Sequence, residues 1–174
     1  MIREKYLLFI FMASLLTSYN LYGQVKRDNT TEIRLRVTQP KGLSTDKAIQ
    51  ILQKRLEQAV VLNDAASDNS PFLLETEILL LSCQTTPSTP VQVVAEIEMI
   101  CSITDKLRGE TIQQADFQFT GIDTTREKAI LNAVKQLRAR DPKLKKFILR
   151  GKEKLIEKYL SESQIIEKWD IIYT

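Results

Sequence analysis

From Val91 to Ile103 the chain keeps a period of two. Val91, Val93, Ala95, Ile97, Met99, Cys101 and Ile103 fall on one side, and Gln92, Glu96, Glu98, Ser102 and Thr104 on the other. Successive side chains of a strand point to opposite faces, so this is the repeat of a strand with one buried face. A chain built around such a strand needs neighbouring strands beside it and a helical layer over its apolar side.

The flanking sequence supplies both. Phe72–Gln84 and Glu110–Thr120 read as strands on either side of Val91–Asp105, with Ala115, Phe117 and Phe119 continuing the apolar face. Asp105-Lys106-Leu107-Arg108-Gly109 predicts a hairpin turn, with Gly109 free to take positive φ. The loop from Thr85 to Pro90 holds two prolines, which lack the N–H a ladder needs.

Ile33, Leu35 and Val37 alternate with Glu32, Arg34, Arg36 and Thr38 as a first strand, stopped by Pro40-Lys41-Gly42. Ser44 or Thr45 caps a helix whose stripe is Ala48, Ile49, Leu52, Leu56, Ala59 and Val60. Thr124 with Glu127 makes a capping box for a helix lined by Ala129, Ile130, Ala133, Val134 and Leu137. Asp141-Pro142 starts a last helix with the stripe Leu144, Phe147, Ile148, Leu155, Ile156 and Tyr159, and Gly151 on that stripe predicts a close helix contact. The expected fold class is α+β, a two-layer sandwich in the order β-α-β-β-β-α-α. Its four-stranded sheet is mostly antiparallel, with helices on one face and one parallel pair through the first strand.

The amino terminus predicts the compartment. Arg3 and Lys5 precede an apolar run from Tyr6 to Leu16, followed by a more polar stretch to Gly23. This is the pattern of a secretory leader over 1–23, leaving one domain over 24–174. The run is shorter than the ~20 residues a membrane span needs, and no later segment spans a bilayer. No cysteine follows it, so the expectation is an exported chain, periplasmic or outer-membrane-associated, that is not a lipoprotein. Cys83 and Cys101 are the two cysteines. A hairpin centred near Ser88 sets Cys101 opposite the neighbourhood of Glu75. That leaves Cys83 roughly 25 Å away, too far for a bridge.

Most catalytic chemistry is excluded. Without histidine there is no histidine base and no zinc site of the usual kind, and five scattered glycines make no phosphate loop. No cofactor is implied. The outer sheet face does gather Glu75, Glu77, Glu96 and Glu98. Glu77 and Glu98 are expected nearly opposite each other, about 5 Å apart. Three readings stay open for this group: hydrolysis of an envelope glycan by Glu77 and Glu98, a calcium ion held by all four carboxylates, and a plain charge ladder paired with Arg34 and Arg36. Leu73, Leu79, Leu81, Val94 and Ile100 share this face. Either the apolar tail 161–174, with Ile165, Ile166, Trp169, Ile171, Ile172 and Tyr173, or a partner subunit is expected to cover part of it, the tail being the favoured cover.

Charge is uneven. Thr124–Leu160 carries twelve Lys or Arg against four Asp or Glu, a net +8. Arg138, Arg140, Lys143, Lys145, Lys146, Arg150, Lys152 and Lys154 form the candidate binding surface. In the envelope their partners are an acidic protein or an anionic polymer or glycolipid. Nucleic acid is not expected for an exported chain without interleaved aromatics.

Several segments resemble a group of small exported proteins of Bacteroides-type bacteria whose function is unknown. They are the leader ending in Gly23-Gln24, Ala48-Ile49-Gln50-Ile51-Leu52, Phe72-Leu73-Leu74, Thr86-Pro87, Thr120-Gly121-Ile122, Lys128-Ala129-Ile130-Leu131-Asn132-Ala133 and Lys152-Glu153-Lys154-Leu155-Ile156. More remotely, the element order is similar to the amino-terminal domain of TolB and to outer-membrane activators of penicillin-binding proteins. Those are binding modules, so the resemblance implies an adaptor role and carries no site residues. The expected function is a non-enzymatic binding or scaffold module of the cell envelope.

Overall fold

The computed structural model describes residues 33–172, with side chains for 33–161. The leader expectation for 1–23 therefore lies outside the described residues.

The expected order and class are what the chain adopts. The elements are β1 (Arg36–Val37), α1 (Asp46–Leu62), β2 (Phe72–Thr85), β3 (Val93–Asp105), β4 (Glu110–Asp123), α2 (Arg126–Val134) and α3 (Pro142–Ile172). One sheet runs β1-β2-β3-β4, with β1 parallel to β2 and the other pairs antiparallel. Ala95, Ile97, Met99, Cys101 and Ile103 are buried on the inner face of β3, as the alternation requires. Leu52, Leu56, Ala59 and Val60 of α1, Ala133 and Val134 of α2, and Leu144, Phe147, Ile148 and Leu155 of α3 join them in one core. Each large aliphatic side chain so enclosed contributes about 1.5–3 kcal/mol, which is what holds the helices to this face.

Several local expectations are corrected. The first strand is shorter than its alternation implied: Arg36 and Val37 pair with Leu73 and Leu74, and Leu35 and Lys41 make only isolated bridges, to Ala66 and Glu77. Gly42 explains the stop. Its φ is +83°, and a Cβ there would lie 2.0 Å from the Ile78 carbonyl oxygen, so the chain turns away against β2 itself. The cap of α2 is Thr125, whose hydroxyl accepts from the Lys128 N–H at 3.4 Å, while Thr124 donates to Asp123. Thr45 precedes α1 without a side-chain cap bond. Asp141 does cap α3, accepting from the Lys143 and Leu144 N–H groups at 2.8 and 3.2 Å. Gly151 serves a helix–sheet approach and not a helix–helix one: a Cβ there would meet the Ile103 side chain at 2.2 Å. The backbone of the tail continues α3 without a break to Ile172. Its side chains beyond Ser161, and with them the expected cover of the outer face, lie outside the described residues.

The turn at 105–109 forms as predicted, with Gly109 at φ +67° and its N–H bonded to the Asp105 carbonyl at 2.8 Å. Asp105 itself is fully buried. Its carboxylate accepts from the Leu107 N–H and the Tyr159 hydroxyl, tying the hairpin to α3. Tyr159 also packs edge-on against Phe72, with ring centroids 5.5 Å apart, beneath the Arg108 guanidinium.

Candidate functional site

The carboxylates of the outer face do not meet in pairs. Glu77 stands opposite Ile100, Glu98 opposite Leu79, Glu75 opposite Ser102 and Glu96 opposite Ser82. The expected facing of Glu77 and Glu98 is corrected for a physical reason. The β2–β3 loop is centred later than Ser88, and a bulge between Leu80 and Ser82 inserts an extra residue. Glu77 and Glu98 are thus diagonal neighbours, at the ~7–8 Å typical of such positions. Three of the four also hold neutral cross-strand donors. Thr104 donates to Glu75 at 2.9 Å, Ser82 to Glu96 at 3.0 Å, and Gln118 to Glu98 at 3.4 Å. Among the described residues no group of three or more His, Cys, Asp or Glu is arranged to hold a metal ion.

Both cysteines are free thiols. Cys101 faces Thr76, and Cys83 faces Ala95, six positions further along β3. Burial pushes the Cys101 thiol up to about 12, against a smaller opposing effect of the Thr76 hydroxyl, 3.7 Å away.

The basic candidates separate into two groups. Lys152 donates from Nζ to the Asn63 and Asp64 carbonyls at 3.3 and 3.0 Å, closing the carboxyl end of α1. Lys154 reaches the Ile112 carbonyl at 3.5 Å. A cation at a helix carboxyl terminus satisfies carbonyls that the helix leaves open, so Lys152 is structural. Arg138, Arg140, Lys143, Lys145, Lys146 and Arg150 are exposed.

Arg138 and Arg140 form one wall of a groove of about 680 Å³. The other wall is α1, which presents Lys54, Glu57, Gln58, Val61 and Leu62. That spacing is i, i+3, i+4, i+7, i+8, the single face of a helix turned away from the core. Val61 and Leu62 are 60% and 51% exposed, and with Ala139 they give the groove an apolar floor. Sequence reading missed this half of the site, because it took α1 only for its core stripe. Arg55, on the same helix, fixes the two walls together. Its Nη1 donates its two N–H groups to the carbonyls of Lys135 and Leu137, with the Val134 carbonyl sharing one of them at 3.4 Å, at and beyond the carboxyl end of α2. Lys54, Arg138 and Arg140 thus surround an apolar floor with a single carboxylate, Glu57, which accepts a hydrogen bond from Gln53 at 2.9 Å.

The fold and this groove define an α+β sandwich in which, among the described residues, the helices cover one face of the sheet. No family model matches the chain, and no curated protein matches it. Solved structures that show some likeness to this chain include PelC of Paraburkholderia phytofirmans, a dodecamer. It has 11% identity and a TM-score of 0.40, over 68% of this chain and 86% of that chain. A minor lipoprotein of Acinetobacter baumannii shares 11% identity at a TM-score of 0.39, over 74% of this chain and 96% of that one. A Xanthomonas campestris protein of the DUF330 family shares 13% identity at 0.41, over 75% and 88%. At these values the likeness assigns no residue a role.

One expectation is corrected by these neighbours. The Acinetobacter protein and a Caulobacter crescentus neighbour both bear the lipoprotein description. This conflicts with the reading of the chain as exported but not a lipoprotein, and that reading is withdrawn. Its basis was the absence of a cysteine after the apolar run from Tyr6 to Leu16.

Proposed function

We propose that this protein is a non-enzymatic binding module of the cell envelope, and that its ligand seats in the groove between α1 and the α2–α3 junction. The observation that carries this is the pairing of exposed Val61 and Leu62 with Lys54, Arg138 and Arg140 around one concavity. An apolar floor beside several cations suits a molecule with an apolar portion and an anionic group, such as an anionic glycolipid. The apolar portion leaves water, and the anion gains charge-assisted hydrogen bonds from the arginines. The amino-terminal leader pattern and the resemblance to exported binding modules support the envelope setting. The separated, hydrogen-bonded carboxylates of the outer face support a role without catalysis.

Vesicles of phosphatidylcholine with and without phosphatidylglycerol test this reading. Binding is expected only with the anionic lipid, weakening as salt rises. Arg138→Glu with Arg140→Glu is expected to lower it about tenfold or more, as is Val61→Asp. Equal binding by all variants removes the groove from consideration.

A further inference from the structure

We propose that two copies of this chain pair through the free edge of β2, from Leu79 to Thr85. The proposal is independent of the groove.

Among the described residues, the outer edge of β2 is covered only along its first half. The Leu74 carbonyl accepts from the Thr38 N–H at 3.0 Å, the Thr76 carbonyl from the Lys41 N–H at 2.9 Å, and the Ile78 N–H donates to the Lys41 carbonyl at 3.0 Å. Gly42 then turns the chain away. By strict alternation the next backbone groups to point outward belong to Leu80, and none of the described residues meets them. Leu79, Leu80 and Leu81 are 40%, 36% and 50% exposed there.

An unpaired strand edge is a template for another strand, and sheets commonly guard it with charge. This edge carries none. From Ile78 to Ala95 there is no Lys, Arg, Asp or Glu, in a chain that is 27% charged. The bulge beside Leu81 is the one blunting feature, and it faces β3.

Neutrality selects the occupant. Two identical edges meeting antiparallel about a two-fold axis place every residue near its own copy, so a charged edge would repel itself. A neutral one meets its copy without penalty and offers a charged partner nothing to recognise. The free stretch is centred on Ser82. The bulge shifts the alternation there, so Leu79 lies on the outer face and Cys83 and Thr85 on the inner face of the stretch that pairs. A cleft of about 350 Å³ adjoins this edge on the inner face, lined in part by Leu43, Ile78, Leu80, Ile97 and Ile130. It offers room to a side chain of the incoming strand.

Light scattering on the purified full chain tests the pairing. A dimer mass is expected, and Leu81→Lys is expected to raise the dimer dissociation constant about tenfold or more. Leu149→Lys, on the exposed side of α3, serves as control and leaves the dimer intact. A bifunctional maleimide is expected to join Cys83 to the partner's Cys83, since Cys83 is exposed and lies near the middle of the pairing stretch. Cys101 is buried and takes no label. A chain that stays monomeric at every concentration overturns the proposal. So does a dimer or larger assembly that Leu81→Lys leaves unchanged, or a dimer in which Cys83 does not crosslink.

Discussion

The hydroxyl of Tyr159 donates to the buried carboxylate of Asp105 at 2.6 Å, across the junction of α3 and the β3–β4 hairpin. A carboxylate shut away from water depends on its donors, and losing one exposes the penalty of an unsatisfied buried group. Tyr159→Phe is therefore expected to destabilise the fold by about 1–3 kcal/mol. The measurement is the urea midpoint, read with an unchanged slope. A variant within about 0.5 kcal/mol of the parent would mean that the remaining donors suffice.

Gly121 lies where β4 meets α2. A Cβ on it would stand 1.9 Å from the Ala129 carbonyl oxygen and 2.4 Å from the Ala133 N–H nitrogen. Both are backbone atoms, so the helix must move as a body. Gly121→Ala is expected to cost about 1–3 kcal/mol, although alanine favours a strand more than glycine does. Thermal unfolding of this variant beside Gly109→Ala separates crowding from conformation, because a Cβ at Gly109 meets nothing within 4 Å.

The two thiols differ in reach and in titration. The folded protein is expected to give one reactive thiol, Cys83, and two once denatured. Cys101 holds its proton more tightly folded than unfolded, because burial raises its value from 9.0 to about 12. Its contribution to stability is thus fully present below pH 9.0 and is lost as pH rises through about 12. Cys101→Ala is expected to flatten the decline of stability across that window.

Asp123 titrates in the opposite sense. The Thr124 N–H, bonded to its carboxylate at 2.7 Å, is the main cause of a value below the ordinary 3.8. The Thr124 hydroxyl, the Lys128 charge and the Asn132 amide act the same way, against desolvation. This preference for the charged form holds above pH 3.8 and disappears as pH falls through the depressed value. A carboxyl carbon titration by NMR is expected to place Asp123 below 3.8, and Asn132→Ala to raise it only slightly, leaving it below 3.8.

With Glu77 and Glu98 on separate register positions, the outer face makes no demand for a cation. Millimolar calcium is expected to leave the melting temperature where it was, and Glu77→Gln with Glu98→Gln to leave glycan release from envelope material unchanged. A rise in melting temperature with calcium, or a loss of released sugar in the double variant, would return these carboxylates to a working role.

The sandwich was readable because its strongest pattern is long. Six alternating apolar positions of β3, from Val93 to Ile103, admit one face assignment, and the Asp141 cap and the turn at Gly109 are specific local chemistry. Register was less readable. Leu79, Leu80 and Leu81 are identical in type, so nothing marks which one the bulge adds, and a one-residue slip changes every cross-strand neighbour. Thr124 and Thr125 offer the same hydroxyl one step apart. The groove was hardest to see. Its cations stood out in the charge count, but Arg138 and Arg140 face a helix far earlier in the chain, as the separation of 80 residues between Arg55 and Lys135 shows. Only the 54, 57, 58, 61, 62 spacing marks that helical face, and Val60 beside it belongs to the core.

Arg55 gives the groove a kinetic character. One guanidinium gripping three carbonyls holds the α2–α3 junction against α1 before any ligand arrives. Capture then requires little ordering of the walls, so less binding energy is spent on it. A ligand entering such a ready-shaped slot binds in a single kinetic phase whose observed rate climbs linearly with concentration, without the plateau of a slow isomerisation. Loosening that grip, as in Arg55→Met, turns the same encounter into a two-step one.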